Sequence, residues 1–530
     1  MDISETQSGA MAQPDTHNEH GGENNVRFMG FDVHGPVFQL SALIAIVSSA
    51  LVLAMPDQAA SVLLDLRNNI MSGFDWFFSL SVSLITIFIV ALAFSPLGKM
   101  RLGGRDATAE FGYVSWICML FSAGVGIGMT FYGAAEPLAY YTGWYGTPFN
   151  VAANTPAAEN LALGATLFNW GVGPWSVYAL FGLGMAFLFL NKGLPMAPRS
   201  VLYPLIGDYA WGWVGHVVDI LAIVATVFGL ATSLGLGAQQ AASGLNYLFN
   251  FEAGLPSQIG FIVIIAGVTV LSVVRGLDRG IRVLSNFTMA LAVILLAYIL
   301  FVGPTGAILK SYGDALRQYG EAYVPLSNFV GREDTTYFHG WTIFYWAWWI
   351  SWSPFVGLFL ARISKGRTVR EFIAVTLLAP LAIATIWFSS FGTAAIYQAK
   401  NGLGALSNGI GDVSLVLFQL FDILPLGAIA SLFALMLLIV FFVTSSDSGA
   451  LVIDSVAAGG KTDTPLVQRV FWACIISLLA VVLLVGGGSK ALESLQAWTL
   501  IVALPFTFVL YSTAFSLVKT MRSELHKTAE

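Results

Sequence analysis

Apolar stretches of about 20 residues recur along this chain, near 37–55, 74–96, 113–137, 160–190, 214–248, 257–274, 283–303, 338–362, 372–397, 427–455, 467–486 and 496–518. Each is long enough to cross a bilayer core of about 30 Å as a helix. Lipid offers the backbone no hydrogen bonds, so a spanning segment must be a helix or part of a closed barrel, and the alternating ten-residue strands of a barrel are absent. Charged residues make up only 10% of the chain and mean hydropathy is +0.76, where soluble domains carry about 25% charged residues. The expectation is an all-α polytopic membrane protein with twelve transmembrane helices.

Residues 1–36 are polar and read as a disordered tail, with no cleavable signal peptide before the first apolar run. With both ends on one side, that side collects eighteen of the 24 Lys and Arg residues, which makes both termini cytoplasmic. Two segments look amphipathic rather than spanning, Ile308–Tyr323 and Ser407–Leu424, and read as helices along the outer interface. The basic residues form no stripe that would suit nucleic acid. Cys118 and Cys474 are far apart, and the six histidines show no metal-binding pair. A membrane enzyme should show clustered His or paired carboxylates at a span end, and a sensor a soluble output domain. Neither pattern is found, so transport is the economical reading and no enzymatic activity is expected.

Transporters are often built from inverted repeats whose Gly/Pro-interrupted helices hold the substrate. The third span contains Gly124-Val125-Gly126-Ile127-Gly128, and the eighth contains Ser353-Pro354-Phe355-Val356-Gly357. Two spans later in each half a second pattern recurs, Thr232-Ser233 before Gly237 and Thr444-Ser445 before Gly449, 212 residues apart. The expected organisation is a tail (1–36), two accessory helices (37–110), a first five-helix repeat (111–308), an outer amphipathic helix and loop (309–337), an inverted second repeat (338–518) and a short tail (519–530). Three glycines in five residues weaken a helix by about 1 kcal/mol each relative to Ala. An unwound turn there would offer N–H groups to an anion and carbonyls to a cation. Close packing of small residues between helices is the alternative use of the same glycines.

Five of the fifteen tryptophans fall between Trp341 and Trp352, in the middle of a span where an interfacial belt would not put them. Span four adds Trp170, Trp175 and Tyr178, fanned over roughly 140° if the helix is regular. Stacked rings suit a quaternary ammonium, which is attracted to ring quadrupoles and has no N–H to satisfy. Most of the rings would simply pack between helices.

The run Trp346-Ala347-Trp348-Trp349, Pro354-Phe355-Val356-Gly357 and Ala361-Arg362-Ile363-Ser364-Lys365-Gly366-Arg367-Thr368-Val369-Arg370-Glu371-Phe372 resembles the signature of the betaine/carnitine/choline transporter (BCCT) family. That resemblance implies the fold of sodium-coupled amino-acid transporters and uptake of trimethylammonium zwitterions by alternating access. It implies a cage of Trp170, Trp175, Tyr178 and Trp349, a route lined by Trp346 and Trp352, and a carboxylate site at Gly124, Gly126 and Gly128. It also implies sodium ligands at Ser122, Val125, Phe441, Thr444 and Ser445, and a second sodium site at Thr226 and Phe355. The hydroxyl expected one turn after Thr226 is Leu230, a departure that weakens the second site. Choline-selective members carry Asp at the position of Gly128, so a substrate with its own carboxylate is expected. Glycine betaine leads; dimethylsulfoniopropionate, carnitine and choline follow, with proton coupling as the alternative to sodium. No cofactor is expected beyond that coupling ion, and a homotrimer is the family's usual assembly. The short 519–530 tail lacks the strongly basic extension of osmosensing relatives, so no tail-based osmotic switch is expected. Asp447 is the ionisable residue nearest the ion-bearing pattern, with a structural and a functional role both open, and Glu136 is expected at the outer rim.

Overall fold

The computed structural model describes residues 21–124, 126–275, 277–487 and 491–527. A hairpin of β1 (Asn25–Phe28) and β2 (Phe31–His34) leads into α1 (Gly35–Ala54) and α2 (Pro56–Phe94). Three short helices follow, α3 (Tyr113–Gly124), α4 (Gly126–Tyr132) and α5 (Ala135–Thr142). Next come α6 (Pro156–Trp170), α7 (Val172–Lys192), the single turn α8 (Tyr203–Ile206), α9 (Trp213–Phe249), α10 (Leu255–Arg275) and α11 (Leu277–Val302). Helix α12 (Thr305–Ser327) separates these from α13 (Thr335–Tyr337), a π-helical stretch Phe338–Ile343, α14 (Phe344–Ile363) and α15 (Val369–Lys400). The chain ends with α16 (Val416–Asp422), α17 (Gly427–Ala457), α18 (Leu466–Gly487) and α19 (Ala491–Lys527).

Among the described residues ten helical segments are long and apolar enough to cross a membrane, or eleven if Phe287–Val302 and Thr305–Ser327, bent by 115°, count as one. The protein is therefore a multi-pass membrane protein. Two of the twelve expected spans fall outside the ten. Segment 113–137 is helical on both sides of Val125, which lies outside the described residues, and turns at Gly133 and Ala134 before α5, while 283–303 qualifies only together with α12. Burial orders the helices: the windows of Pro156–Lys192, Trp213–Phe249 and Thr335–Ile363 are 89%, 89% and 94% buried, whereas that of Leu255–Val274 is 28% buried. Helices that are apolar all round and buried form the centre, and those with exposed apolar faces meet lipid.

The sequence explains how the central helices start. Thr155 accepts from the Ala158 N–H ahead of α6, with Pro156 in the first turn, where its missing N–H costs nothing. Thr368 and Glu371 form a reciprocal capping box ahead of α15. The loop before it latches onto the entrance of α3. Arg101 Nη1 donates to the Gly366 carbonyl at 2.6 Å, and Arg367 lies over the rings of Tyr113 and Trp116 at 4.1 and 4.7 Å. Gly366 has φ +80 and a Cβ there would lie 2.3 Å from the Thr108 backbone, so only glycine fits. The basic run of the signature thus anchors the start of α3.

Three expectations are corrected. Residues 25–34 form a hairpin rather than a disordered tail, while 1–20 lie outside the described residues. Asp32 accepts from Lys461 at 2.7 Å, its backbone N–H donates to Gln468 at 2.9 Å, and Asn25 donates to the Ala458 carbonyl at 3.1 Å, so the α17–α18 connection holds the hairpin. Segment 407–424 is not one amphipathic helix; it breaks into 3-10 turns and α16, whose apolar side chains are buried. In span eight, α14 runs through Pro354 without a break. Proline removes the N–H that would reach the Ile350 carbonyl, and Ser353 Oγ donates to that carbonyl instead at 2.7 Å. The other amphipathic segment, Ile308–Tyr323, lies within α12 as a helix packed on α6 and α15.

At one end of the bundle Arg199 and Asp219 form an ion pair at 2.6 Å, exposed by 2% and 0%. Beside them His34 is pushed down to about 4, by burial first and then by Arg199 and His216. At pH 7 it is neutral, and its Nε2 accepts from Arg199 Nη1 at 3.3 Å. Removing one member of a buried pair typically costs about 3–5 kcal/mol, while replacing both is far milder. Arg199→Met should therefore lower the thermal unfolding midpoint in detergent sharply, and Arg199→Met combined with Asp219→Leu should recover most of the loss.

Candidate functional site

Trp170 is the last residue of α6 and Trp175 sits in the first turn of α7, with a break at Gly171 between them. The Val172 N–H freed by that break donates to Tyr319 Oη of α12 at 3.1 Å. The break reorients the chain, so rings that would fan too widely on one regular helix face a common space. Trp170, Trp175, Tyr178 and Trp349 line one cavity together with Met129, Pro174, Pro380 and Ala384. Trp170 and Trp349 meet at 5.0 Å between centroids and 72°, Trp175 and Tyr178 at 5.4 Å and 89°, and Tyr178 and Trp349 at 6.1 Å and 86°. The free volume is about 10 Å³, room for about one water. This is a closed arrangement.

Polar atoms fix the rings. Trp349 Nε1 donates to the Asn169 carbonyl at 2.9 Å. Trp170 Nε1 donates to Glu136 at 2.7 Å, and Glu136 also accepts from Tyr140 at 2.7 Å, Asn169 at 3.4 Å and Tyr345 at 2.5 Å. Glu136 is 0% exposed, which corrects the expectation of a rim position. The Tyr178 hydroxyl is buried with no hydrogen-bond partner among the described residues.

Glycine makes room for the indoles. A Cβ on Gly128 would lie 2.6 Å from Trp170 and 3.3 Å from Trp348. One on Gly173 would lie 2.9 Å from Trp346, and one on Gly229 2.8 Å from Trp352. Trp346 and Trp352 are packed against these helices and are not among the residues lining the cavity. Gly357 meets Phe181 and Gly182 where α14 crosses α7, so it serves close packing rather than an unwound turn.

Around the glycine stretch, Val125 lies outside the described residues, and Ser122, Gly124 and Gly126 are described only as helical backbone on either side of it. Helix α17, which carries Phe441, Thr444 and Ser445, packs on α3 and α4. Thr444 Oγ1 donates to the Val440 carbonyl at 2.8 Å, which leaves its lone pairs free, and Ser445 Oγ is buried with no hydrogen-bond partner among the described residues. Thr226 on α9 back-bonds to the Ala222 carbonyl at 2.8 Å, and Phe355 meets Trp352 at 5.7 Å. Leu230 presses on Gly449, where a Cβ would lie 2.2 Å away, so apolar packing between α9 and α17 takes the place of the expected hydroxyl. Asp447 accepts from Ser272 at 2.7 Å, and its other oxygen is buried with no hydrogen-bond partner among the described residues. No cluster of three His, Cys, Asp or Glu residues able to hold a metal occurs among the described residues.

The sequence places Glu136 at the rim rather than beside the cage and does not single out Asn169, Tyr345, Met129, Pro380 or Ala384. A carboxylate inside an aromatic-rich span was the one available signal for Glu136.

The family model described as BCCT, betaine/carnitine/choline family transporter, matches residues 36–526. The chain belongs to the BCCT family. It is a transporter rather than an enzyme. Glycine betaine transporter 1 of Vibrio parahaemolyticus is 53% identical over 505 residues, covering 95% of this chain and 96% of that one. A glycine betaine/proline/choline/ectoine transporter of the same organism is 50% identical, covering 96% and 91%. Among solved structures, a Na+-coupled sialic acid symporter aligns with a TM-score of 0.45 at 13% identity, covering 84% of this chain and 85% of that one, a likeness too weak to argue from.

For this BCCT transporter, Asp in place of Gly128 would have to displace Trp170 in the closed arrangement, so that exchange reshapes the cage as well as adding charge. Even one methyl forces the ring to move, and overpacking of this kind costs about 1–3 kcal/mol. Gly128→Ala should lower the unfolding midpoint and shift the tryptophan emission, and adding Trp170→Phe should restore the midpoint.

Proposed function

We propose that this transporter carries a quaternary-ammonium or related onium zwitterion, glycine betaine first, into the cell by sodium-coupled alternating access. The observation that carries the reading is the shared cavity of Trp170, Trp175, Tyr178 and Trp349. Four aromatic rings lining one space suit a trimethylammonium group, whose charge their π-systems attract without a hydrogen bond. A buried hydroxyl without a partner costs about 1–3 kcal/mol. A substrate carboxylate would relieve the one on Tyr178, with the glycine stretch offering further N–H groups. The names of the two Vibrio relatives, both glycine betaine transporters, favour the same substrate, while the second also names proline, choline and ectoine.

For the ion, neutral hard oxygens at Thr444 and Ser445 beside the glycine stretch suit sodium. Thr226 and Phe355 form a weaker second candidate, because Leu230 and Gly449 pack where a further ligand would be needed. With carriers of this kind the two halves 111–308 and 338–518 would act as inverted repeats. The protein would sit in the inner membrane with both termini cytoplasmic, as the basic-residue asymmetry favours, and assemble as a homotrimer.

Proteoliposome uptake tests the reading. Labelled glycine betaine should accumulate under an inward sodium gradient and stay at background under a proton gradient alone; full-rate uptake on protons alone overturns sodium coupling. Trp349→Leu should raise the apparent KM roughly 30-fold, corresponding to a cation–π contact worth up to about 2 kcal/mol when desolvated. An unchanged KM in the folded variant would move the substrate elsewhere. Thr444→Val together with Ser445→Ala should raise the sodium concentration for half-maximal uptake by an order of magnitude.

A further inference from the structure

Glu136 begins α5, is 0% exposed, and stands behind the cage rather than in it. Its Oε1 accepts from Tyr140 Oη at 2.7 Å and Asn169 Nδ2 at 3.4 Å; its Oε2 accepts from Trp170 Nε1 at 2.7 Å and Tyr345 Oη at 2.5 Å. An indole N–H and an amide NH2 can only donate. Tyr140 Oη already accepts from Asn169 Nδ2 at 2.9 Å, so its own proton points to Glu136. An indole N–H and an amide N–H that can only donate, with two tyrosine hydroxyls beside them, make a setting that suits a carboxylate holding negative charge. None of the ion pairs among the described residues includes Glu136. A buried charge with hydrogen bonds but no cation is unusual, and one of its donors, Trp170, also lines the cavity.

Trp170 connects the two. Its N–H is bonded to Glu136, and its ring lines the cavity in edge contact with that of Trp349. An N–H donated to an anion pushes electron density into the indole, deepening the negative face on which a cation rests. Trp349 is tied to the same group at one remove, since its N–H is held by the Asn169 carbonyl and the Asn169 side chain donates to Glu136. Among the described residues Trp175 and Tyr178 make no hydrogen bond to it, so the cage is electrically lopsided.

We propose that Glu136 is the buried counter-charge of the onium cage, a specificity-determining residue that acts through Trp170 and makes the site prefer a cationic headgroup to a neutral one of the same shape. This rests on the onium reading above. Glycine betaine and 3,3-dimethylbutanoate separate charge from shape, because the second replaces the trimethylammonium by a tert-butyl group and keeps the carboxylate. Their affinities for the purified full chain, measured by tryptophan fluorescence, test the assignment. Wild type should bind betaine at least tenfold more tightly than the isostere. Glu136→Gln should weaken betaine at least tenfold while changing the isostere less than twofold, and Glu136→Asp, which keeps the charge, should restore the preference. An equal loss for both compounds would make Glu136 a packing group only, and no loss for either would remove it from the site; each overturns the proposal. If the Gln variant does not fold, Trp170→Phe, which keeps a ring but cuts the N–H link, should lower the same ratio, and an unchanged ratio counts against the proposal. Wild-type protein that binds neither compound sinks the onium reading and this inference together, whereas betaine binding indifferent to Glu136 sinks the inference alone.

Discussion

A helix interrupted inside a bilayer exposes carbonyls and N–H groups that lipid cannot satisfy, and the centre of this protein is organised around satisfying them. At the end of α4 the Met129 carbonyl takes the indole N–H of Trp387 at 2.9 Å. At Gly171 the Val172 N–H finds Tyr319. At Pro354 the Ile350 carbonyl takes Ser353. The first two repairs come from neighbouring helices, α15 and α12, so a break is stable only while those neighbours stay in place. Helix α15 also brings Pro380 and Ala384 to the cavity. Breaks and cage are thus one packed unit, and motion at one must be felt by the other.

The second organising fact is steric. Indoles are the largest side chains, and α14 buries four of them, with Trp341 in the π-helical stretch ahead of it, in a centre packed as densely as an organic crystal. They fit because glycines on α4, α7 and α9 yield the volume, with Gly128 under Trp170 and Trp348, Gly173 under Trp346, and Gly229 under Trp352. The same glycines that read as hinges are also sockets. Hinge and socket are not exclusive, because a ring resting on a glycine can slide where one locked between branched side chains cannot.

Much of this was legible in the chain. Long apolar runs announce spans because the bilayer sets their length, and the cage rings stood out because tryptophan in mid-span has no interfacial use. Depth was harder to read. Glu136 precedes Pro137 near the end of an apolar run, and a carboxylate there resembles an interface residue; only the fold brings Tyr345, more than 200 residues later, to meet it. Ser353 looked like part of a break because a back-bond from a hydroxyl to a carbonyl leaves no mark in hydropathy. The strands 25–28 and 31–34 are four residues each, too short for periodicity to rise above a polar background, and what orders them is a loop more than 400 residues downstream.

That last connection has a use. Asn25 and Asp32 grip the turn that follows α17, while Phe31 meets Phe471 on α18 at 5.9 Å. The tip of the hairpin, by contrast, faces outward, with Met29 92% exposed. A dye attached there would ride on the connection that follows the helix carrying Thr444 and Ser445, at a distance from the rings of the cage. The hairpin is in effect a pointer fixed to the α17–α18 connection and to α1, on whose Phe38 it packs, and its angle against a second label on α12 would read how that end of the bundle moves through a working cycle.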